Sequence, residues 1–425
     1  LKEFNCDLQL HGNFAGGTSN KMVIPVMAEQ SRLKGIDCIV TADALHEKWM
    51  QHTKENIIET ENGVYADKNH NTFFIPGTEV EDNKRIHHLI YLPSLESAIE
   101  LREKTKNHGN LDCSLCGRPR LSLTAEQIAQ KVEEVGGITG PAHSFTPYTG
   151  LYAHFDSVKT AYGSMTEKIL FIELGLSADT DFADTISENH KYAFLSSSDA
   201  HSPWPNKLGR EFNRIKMAKP DFKSLVKALK ERDEKLISLN VGLDPREGKY
   251  HKSACNACFA IYSHEQAKSL NWKCLKCKGQ IKRGVRDRIE MLSDTPQGVH
   301  PVFRPKYLHL LPLSEIIQIA LGAKKPNSPA EQSIWKDFVE RFGTEIKALI
   351  DAPEKELLEV HQIAAKKIIS FRNGWTTYIP GGGGKFGQPF IFDSQKEFDE
   401  KKDGVAEQGK KDEMKGQKTL NEFFG

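Results

Sequence analysis

The chain has 425 residues, 38% hydrophobic and 27% charged, with 58 Lys and Arg against 57 Asp and Glu for a net charge of +1. This is a globular composition of two or three domains by length, and it excludes collagen-like, mucin-like and wholly disordered chains. No run of about 18 apolar residues exists, so no membrane helix is expected, and Leu1-Lys2-Glu3-Phe4-Asn5 forms no apolar signal core, which predicts a cytosolic protein.

From residue 1 to 245, short apolar runs alternate with helical patterns. Strands are expected at Asp37–Thr41, Thr72–Ile75, His88–Leu92, Ile169–Glu173 and Ala193–Ser196. Helices are expected over Ile24–Lys34, Leu95–Lys106 and Thr124–Val135, the last opened by the capping box Thr124-Ala125-Glu126-Gln127. Alternation of this kind over more than 200 residues predicts an α/β layered or barrel fold.

Residues 246–290 hold eleven Lys and Arg against four acidic residues, a local excess facing a polyanion. The same stretch carries Cys255-x2-Cys258 and Cys274-x2-Cys277, two knuckles whose four thiolates suit one tetrahedral structural zinc. Trp272 beside Lys273 tilts this module toward nucleic acid. Cys113-x2-Cys116 has no second pair in sequence; without a signal segment such pairs read as metal sites before disulfides. Gly117-Arg118-Pro119-Arg120 follows it as a basic loop. Helices are expected at Leu313–Ala320, Ala330–Phe342, Glu345–Ile350 and Glu354–Ile369, then a glycine-rich turn or loop at Tyr378–Gly387. From Gln395 the chain is charged and poor in apolar residues, and a disordered tail is expected.

The expected strand ends of the first half are followed by metal-type side chains: Asp43 and His46, Glu79, His143, and Asp199 and His201. His11 follows Asp7-Leu8-Gln9-Leu10, and His87-His88 opens another strand. In α/β folds the ligand site lies at the carboxyl ends of the strands. Imidazoles with a bridging carboxylate suit zinc, manganese or iron, and two or three such ions clamp a phosphate ester. The residues alone therefore point to metal-dependent phosphoester hydrolysis.

This order of motifs resembles the polymerase-and-histidinol-phosphatase (PHP) domain, a distorted β/α barrel with a multinuclear metal site. The longer strings Thr41-Ala42-Asp43-Ala44-Leu45-His46, Gly140-Pro141-Ala142-His143-Ser144-Phe145, Glu173-Leu174-Gly175-Leu176 and Ser198-Asp199-Ala200-His201-Ser202-Pro203, followed by Leu208-Gly209-Arg210-Glu211, resemble the endonuclease Q family. The resemblance implies a PHP domain at 1–245, a four-cysteine basic module at 246–307, a helical domain at 308–394 and a tail at 395–425. It implies a DNA repair endonuclease that cuts 5′ of deaminated bases (hypoxanthine, uracil, xanthine) or abasic sites, leaving 3′-hydroxyl and 5′-phosphate ends. Implied metal ligands are His11, Glu79, His88, His143, Asp199 and His201, with Asp43 and His46 matching the second motif. They would hold two or three catalytic Zn²⁺, Mn²⁺ or Mg²⁺ ions. His88 is preferred to His87 because it directly precedes Leu89-Ile90-Tyr91-Leu92. Lys207, Arg210, Arg118 and Arg120 are the phosphate-contact candidates. Gln9 stands where the family has a ligand histidine, so an impaired variant is one expectation.

The chain ends Gln417-x2-Leu420-x2-Phe423-Phe424, a pattern matching the peptide that binds a sliding clamp (PCNA), with Leu420, Phe423 and Phe424 on one face of a helical turn. This peptide suggests an archaeal source, and with the DNA chemistry it predicts a cytoplasmic, nucleoid-associated enzyme. Two rival readings remain open here. A small-molecule PHP phosphatase accounts for the metal motifs alone, and a catalytically silent DNA- and clamp-binding protein draws on Gln9.

Overall fold

The computed structural model describes residues 1–405 apart from 70, 234, 324, 325 and 327. The chain forms two compact units. The first comprises 1–175, 183–242 and 294–310; the second comprises 176–182, 243–293 and the described residues from 311 onward. In chain order the strands are β1 Lys2–Asp7, β2 Cys38–Val40, β3 Ile57–Glu61, β4 Val64–Asp67, β5 Phe73–Ile75, β6 Gly77–Glu81, β7 His87–Tyr91, β8 Ile138–Pro141, β9 Phe171–Glu173, β10 Ala193–Leu195, β11 Phe212–Met217, β12 Ile237–Gly242, β13 Ala254–Cys255, β14 Ile281–Lys282, β15 Lys306–His309, β16 Thr376–Ile379 and β17 Gln388–Ile391.

In the first unit an eight-stranded sheet runs β15-β12-β11-β1-β2-β5-β4-β3, followed by the three-stranded β6-β7-β8 and the parallel pair β9-β10. β1 lies parallel to β2, with Cys6 opposite Cys38, and β2 parallel to β5. Parallel strands covered on both faces have no solvent side, which is why β2, β9 and β10 are buried at every residue. The helices between them are amphipathic. Phe222–Glu231, for example, buries Leu225, Ala228 and Leu229, one face of a 3.6-residue repeat. The capping box at Thr124 and Gln127 forms as the sequence predicts. These interrupted sheets with intervening helices are the distorted β/α barrel of PHP type.

Residues 294–310 belong to this first unit, and β15 pairs in parallel with β12. The boundary expected between 307 and 308 therefore falls inside a strand. The short segment is fastened by Arg304, whose buried guanidinium donates to both carboxylate oxygens of Asp184 and to the carbonyls of Tyr192 and Asn189.

The second unit contains the β13–β14 hairpin with its cysteines and the helices Leu313–Leu321, Pro329–Phe342, Glu354–Val360 and Gln362–Arg372. The buried Glu345 carboxylate accepts from the Leu313 amide at 2.9 Å and Trp335 Nε1 at 2.6 Å, joining two helices. The Arg372 guanidinium occupies the carbonyls of Ala348, Leu349 and Ala352, which close a short π-helix, Lys347–Asp351.

Two expectations need correction. The helix expected over Glu354–Ile369 is broken at His361, which turns extended (φ −157°, ψ 108°) and caps the next helix through Nδ1, accepting from the Ala364 amide at 3.2 Å. The tail expected to be disordered from Gln395 is helical over 395–405, with Phe398 against Phe392. Gln417, Leu420, Phe423 and Phe424 lie outside the described residues. Among the described residues no helix is long and apolar enough to cross a membrane.

The glycine-rich stretch is the turn between β16 and β17, and it sits against the first cysteine knuckle. A Cβ on Gly383, which has φ +66°, would lie 2.4 Å from the Cys255 carbonyl, and one on Gly381 2.5 Å from that of Gly248. Glycine is required there by close backbone approach.

Candidate metal-dependent active site

The barrel strands deliver their polar residues to one place through strained turns. Asp43 (φ +29°), His143 (φ +29°) and Asp199 (φ +47°) all lie in the left-handed region that side chains disfavour. Such strain persists only where the surrounding structure imposes it, and it concentrates at functional sites. The Asp199 turn is fixed from behind. Asp7, buried beneath it, accepts from the Ser198 and Gly209 amides at 3.0 Å, and Arg210 donates Nε and Nη2 to the Ser198 carbonyl.

Two groups of ligand-type side chains result: His11, Asp199 and His201, and Glu79, His87 and His143, each with donor atoms within 4.8 Å of one another. Glu79 joins them. Its Oε2 lies 2.8 Å from His11 Nε2, and its Oε1 lies 2.6 Å from His87 Nδ1 and 3.3 Å from His143 Nε2. Asp199 Oδ1 is 3.4 Å from His11 Nε2. His11 Nε2, Glu79 Oε1 and Asp199 Oδ1 are nevertheless buried without a well-formed hydrogen bond. Buried polar atoms are normally paired. Converging nitrogen and carboxylate donors left unpaired fit divalent cations.

The electrostatics agree. Burial lowers the His11 imidazole, but Asp199, Asp43 and Glu79 outweigh it and hold it well above its ordinary value. Burial works to raise Glu79, yet His87, Arg118, His11 and His143 keep it well below the usual carboxylate range. Asp199 is likewise lowered against burial by His11 and His201. The carboxylates are thus anionic at a largely buried site, where positive charge is favoured.

The other sequence-selected residues fall around this centre. Asp43 stands behind His11, with Oδ1 3.3 Å from its Nδ1 and Oδ2 accepting from the Gly12 amide. This is the position of a carboxylate that orients a ligand ring. Gly117 passes so close that a Cβ would sit 2.3 Å from Asp43 Oδ2. His46 is outside the cluster: it stacks on Phe14, caps the helix Glu47–Asn56 and meets the Cys113 carbonyl. Arg118 comes within 3.9 Å of Glu79, whereas Arg120 pairs with Glu81 at the surface. Lys207 follows His201 in the 202–209 loop. Arg210 is turned inward to the Ser198 carbonyl. Gln9 is buried, and its Nε2 donates to Glu79 Oε2 at 3.1 Å.

His88 is not brought to the cluster. Its Nδ1 lies 2.7 Å from the Tyr162 hydroxyl and its Nε2 3.4 Å from Asp82, on the opposite face of β7. His87 takes the place expected of His88. The reason is register: β6 and β7 are antiparallel with Glu81 opposite His87 and Val80 opposite His88. Opposed residues share a face and neighbours alternate, so Glu79, Glu81 and His87 point one way. Cys113 and Cys116 are joined by a disulfide and form no metal pair. Glu173, buried beneath the site, accepts from the His143 amide. Burial pushes its carboxyl well above the ordinary value.

In the second unit the Sγ atoms of Cys255, Cys258, Cys274 and Cys277 are mutually within 4.8 Å, with Cys255–Cys277 at 3.4 Å and Cys258–Cys274 at 3.5 Å. All four are free thiols. Burial opposes ionisation of Cys274, but the Tyr262 hydroxyl and the Cys277 amide bring its thiol down to about 6. The arrangement suits one tetrahedral ion.

Comparison with known proteins places this architecture. Residues 312–375 match the family described as the MJ0043 C-terminal domain. The chain is 46% identical over 257 residues to the uncharacterized protein MJ0043 of Methanocaldococcus jannaschii, a match covering 59% of this chain and 32% of that protein. The chain thus spans about a third of that relative's length. It is similar to the lesion-specific endonuclease PfuEndoQ of Pyrococcus furiosus, with 42% identity and a TM-score of 0.85 over 94% of this chain and 99% of that one. It is also similar to endonuclease Q solved in complex with a 27-mer duplex bearing an abasic lesion at the active site, with 44% identity and a TM-score of 0.87 over 92% and 97%. With near-complete coverage at this identity, and with the PHP-type barrel and its histidine–carboxylate cluster in place, the chain belongs to the endonuclease Q family.

Proposed function

We propose that this protein is a metal-dependent DNA repair endonuclease. It hydrolyses the phosphodiester 5′ of a deaminated base (hypoxanthine, uracil or xanthine) or of an abasic site, and leaves 3′-hydroxyl and 5′-phosphate ends. The observation that carries the reading is the pair of ligand groups bridged by Glu79, in a chain similar throughout to an endonuclease solved with an abasic duplex at its active site.

His11, Glu79, His87, His143, Asp199 and His201 would hold two or three ions of Zn²⁺, Mn²⁺ or Mg²⁺. Such ions polarise a phosphate and supply a nucleophile at neutral pH. Asp43 orients the His11 ring, and Asp7 and Arg210 hold the Asp199 turn. Arg118, close to Glu79 and partly exposed, is placed to meet a phosphate oxygen, and Lys207 and Arg120 are outer phosphate contacts. Gln9 donates to Glu79 and so fixes the bridging carboxylate, which supports an active chain over an impaired one. The damaged nucleotide would leave the stack to reach this centre. Cys255, Cys258, Cys274 and Cys277 would hold a structural Zn²⁺ that fastens the basic hairpin.

The test uses end-labelled duplexes carrying deoxyinosine, deoxyuridine, an abasic site or no damage, with Mg²⁺ or Mn²⁺. A nick immediately 5′ of each lesion and none in the undamaged duplex is expected. Asp199→Ala should abolish the nick while DNA binding persists; near-normal cleavage by that variant would sink the site assignment. Gln9→His runs alongside, and a nick by that variant alone would restore the impaired-variant reading.

The terminal peptide Gln417-x2-Leu420-x2-Phe423-Phe424 is proposed to dock on a sliding clamp, which would place the enzyme on chromosomal DNA in the cytoplasm. Deleting residues 417–425 should remove clamp binding and leave intrinsic nicking unchanged. A deletion variant that still co-elutes with the clamp would refute it.

A further inference from the structure

Residues 112–121 form neither helix nor strand, yet they are fastened along their length to the elements that carry the metal-type side chains. Asp112 accepts from the Glu47 amide at 2.9 Å and from Arg102 Nη1 at 2.9 Å. His46 Nδ1 accepts from the Trp49 amide, which leaves its Nε2–H to donate to the Cys113 carbonyl at 3.3 Å. The Gly117 amide donates to the Phe14 carbonyl at 3.1 Å, and the Glu81 amide to the Pro119 carbonyl at 2.9 Å. Between these anchors Gly117 passes Asp43, the carboxylate behind His11, with no room for a Cβ. The next residue, Arg118, is thereby brought to 3.9 Å from Glu79. The segment is a strap laid beside the metal-type centre.

Within the strap Cys113 and Cys116 are joined by a disulfide. The bridge spans three positions. Closing so short a loop removes little chain entropy, so it does least for the stability of the fold as a whole. Its effect is local: it fixes the turn that sets the Cys113 carbonyl against His46 and pairs Cys116 with Ala15. The other six cysteines are free thiols. Cys6 and Cys38 stay so although they stand opposite each other on β1 and β2, and both are fully buried. Cys113 and Cys116 are only half-buried, and Ser114 and Leu115 between them are exposed, Leu115 at 65%. A disulfide that a soluble thiol can reach is of the kind that exchanges, whereas a buried one only holds.

We propose that Cys113–Cys116 is a thiol–disulfide exchange site that sets the activity of the adjacent centre, and that it takes a dithiol reductant. The proposal rests on the reading of that centre as the active site of a metal-dependent endonuclease. A thiolate of the reductant attacks one sulfur of the pair. The Cys113–Cys116 bond breaks, a mixed disulfide forms, and the other cysteine leaves as a thiolate and takes a proton. The second thiol of the reductant then displaces the remaining cysteine and closes its own disulfide. The protein gains two electrons and two protons, and the dithiol loses them. With the bridge open the turn 113–116 is released, and Gly117 and Arg118 lose the fixed point that precedes them. The oxidised protein is the competent form, because Arg118 is then held where a phosphate oxygen meets it. The reduced protein keeps its metal ligands, none of which lies on the strap, but positions the phosphate poorly.

The full-length, metal-loaded protein is equilibrated in buffers running from oxidised to reduced dithiothreitol. Free thiols are alkylated and the peptide carrying residues 113 and 116 is quantified by mass spectrometry. In parallel, kcat and KM are measured on a duplex with an abasic site, and divalent ions per chain are counted. As that peptide becomes reduced, kcat/KM should fall roughly ten- to a hundredfold, the scale of a misplaced substrate-positioning group. The ions of the histidine–carboxylate centre should be retained, and reoxidation should restore the parent value. Cys113→Ser with Cys116→Ser should show the low value in every buffer and no response to the dithiol. A pair that stays oxidised in the most reducing buffer overturns the proposal, as does a kcat/KM that does not follow the redox state of the pair. An equal response in the double-serine variant also overturns it and moves the effect to the four-cysteine module. If that variant does not fold, Leu115→Pro, which stiffens the turn without removing a sulfur, should blunt the response of the parent, and an undiminished response overturns the proposal. A parent that nicks equally in both redox states removes the switch alone, whereas one that nicks in neither removes the endonuclease reading and the switch with it.

Discussion

Along β7 the side chains of His87 and His88 leave opposite faces, and the register with β6 assigns the first to the Glu79 cluster and the second to Asp82 and Tyr162. The two residues should therefore fail differently. His87→Ala should lose at least one divalent ion per chain by elemental analysis and reduce nicking more than about 100-fold, beyond the loss typical of a group behind the ligands. His88→Ala should keep its metal content and lower the melting temperature instead, because it leaves the Tyr162 hydroxyl facing a cavity. Equal metal loss in both variants would contradict the register argument. At this scale the sequence named most of the cluster, because His11, Glu79, His143, Asp199 and His201 are chemically conspicuous and follow strands. It chose His88 over His87, and wrongly, since the choice needs the pairing partner. Nor could it show that Arg210 is occupied by a carbonyl, because a charged side chain used internally looks the same in a sequence as one offered to a phosphate.

At the scale of elements, local signals succeeded where they were strong. The capping box at Thr124 and the apolar runs of β2, β5 and β10 are read directly from residue type. They failed where a long-range contact decides. His361 interrupts an otherwise helical pattern by capping the next helix, and 395–405 forms a helix although its composition is that of a tail. The loop after Gly248 offers an element-scale test. His251 is buried there. Burial first, then the charges of Lys252 and Arg286, push its imidazole down to about 4 from an ordinary 6.5. The unfolded chain then takes up a proton below pH 6.5 that the folded chain refuses until about pH 4. Its stabilising share is present above pH 6.5 and is lost as the pH falls toward 4, about 3 kcal/mol over the window. Urea unfolding at pH 7.5 and 5 should show about 2 kcal/mol of this loss in the parent, with a smaller loss in His251→Asn. The same loss in both would remove His251 as the cause.

For the whole molecule, the sequence predicted the PHP-type barrel and the four-cysteine module, but the chain is less sequential than its motifs. Residues 294–310 leave the cysteine segment, return to the first unit and add β15 beside β12. No composition break marks that return; it depends on Arg304 finding Asp184 more than a hundred residues upstream. The cysteine segment and the helices after it form one unit, because the turn at Gly381–Gly384 packs on the first knuckle.

That close approach would tie an ion held by the four cysteines to a hairpin about a hundred residues further along the chain. Removing such an ion would free the Cys255 carbonyl region on which Gly383 rests, and the hairpin would then lose its support. Amide hydrogen exchange should report this as a single cooperative opening. After treatment with a strong chelator, peptides spanning 254–282 and 376–391 should lose protection together and at one rate, while β1 and β2 keep theirs. Loss confined to the cysteine peptides would mean that the hairpin stands without the knuckle.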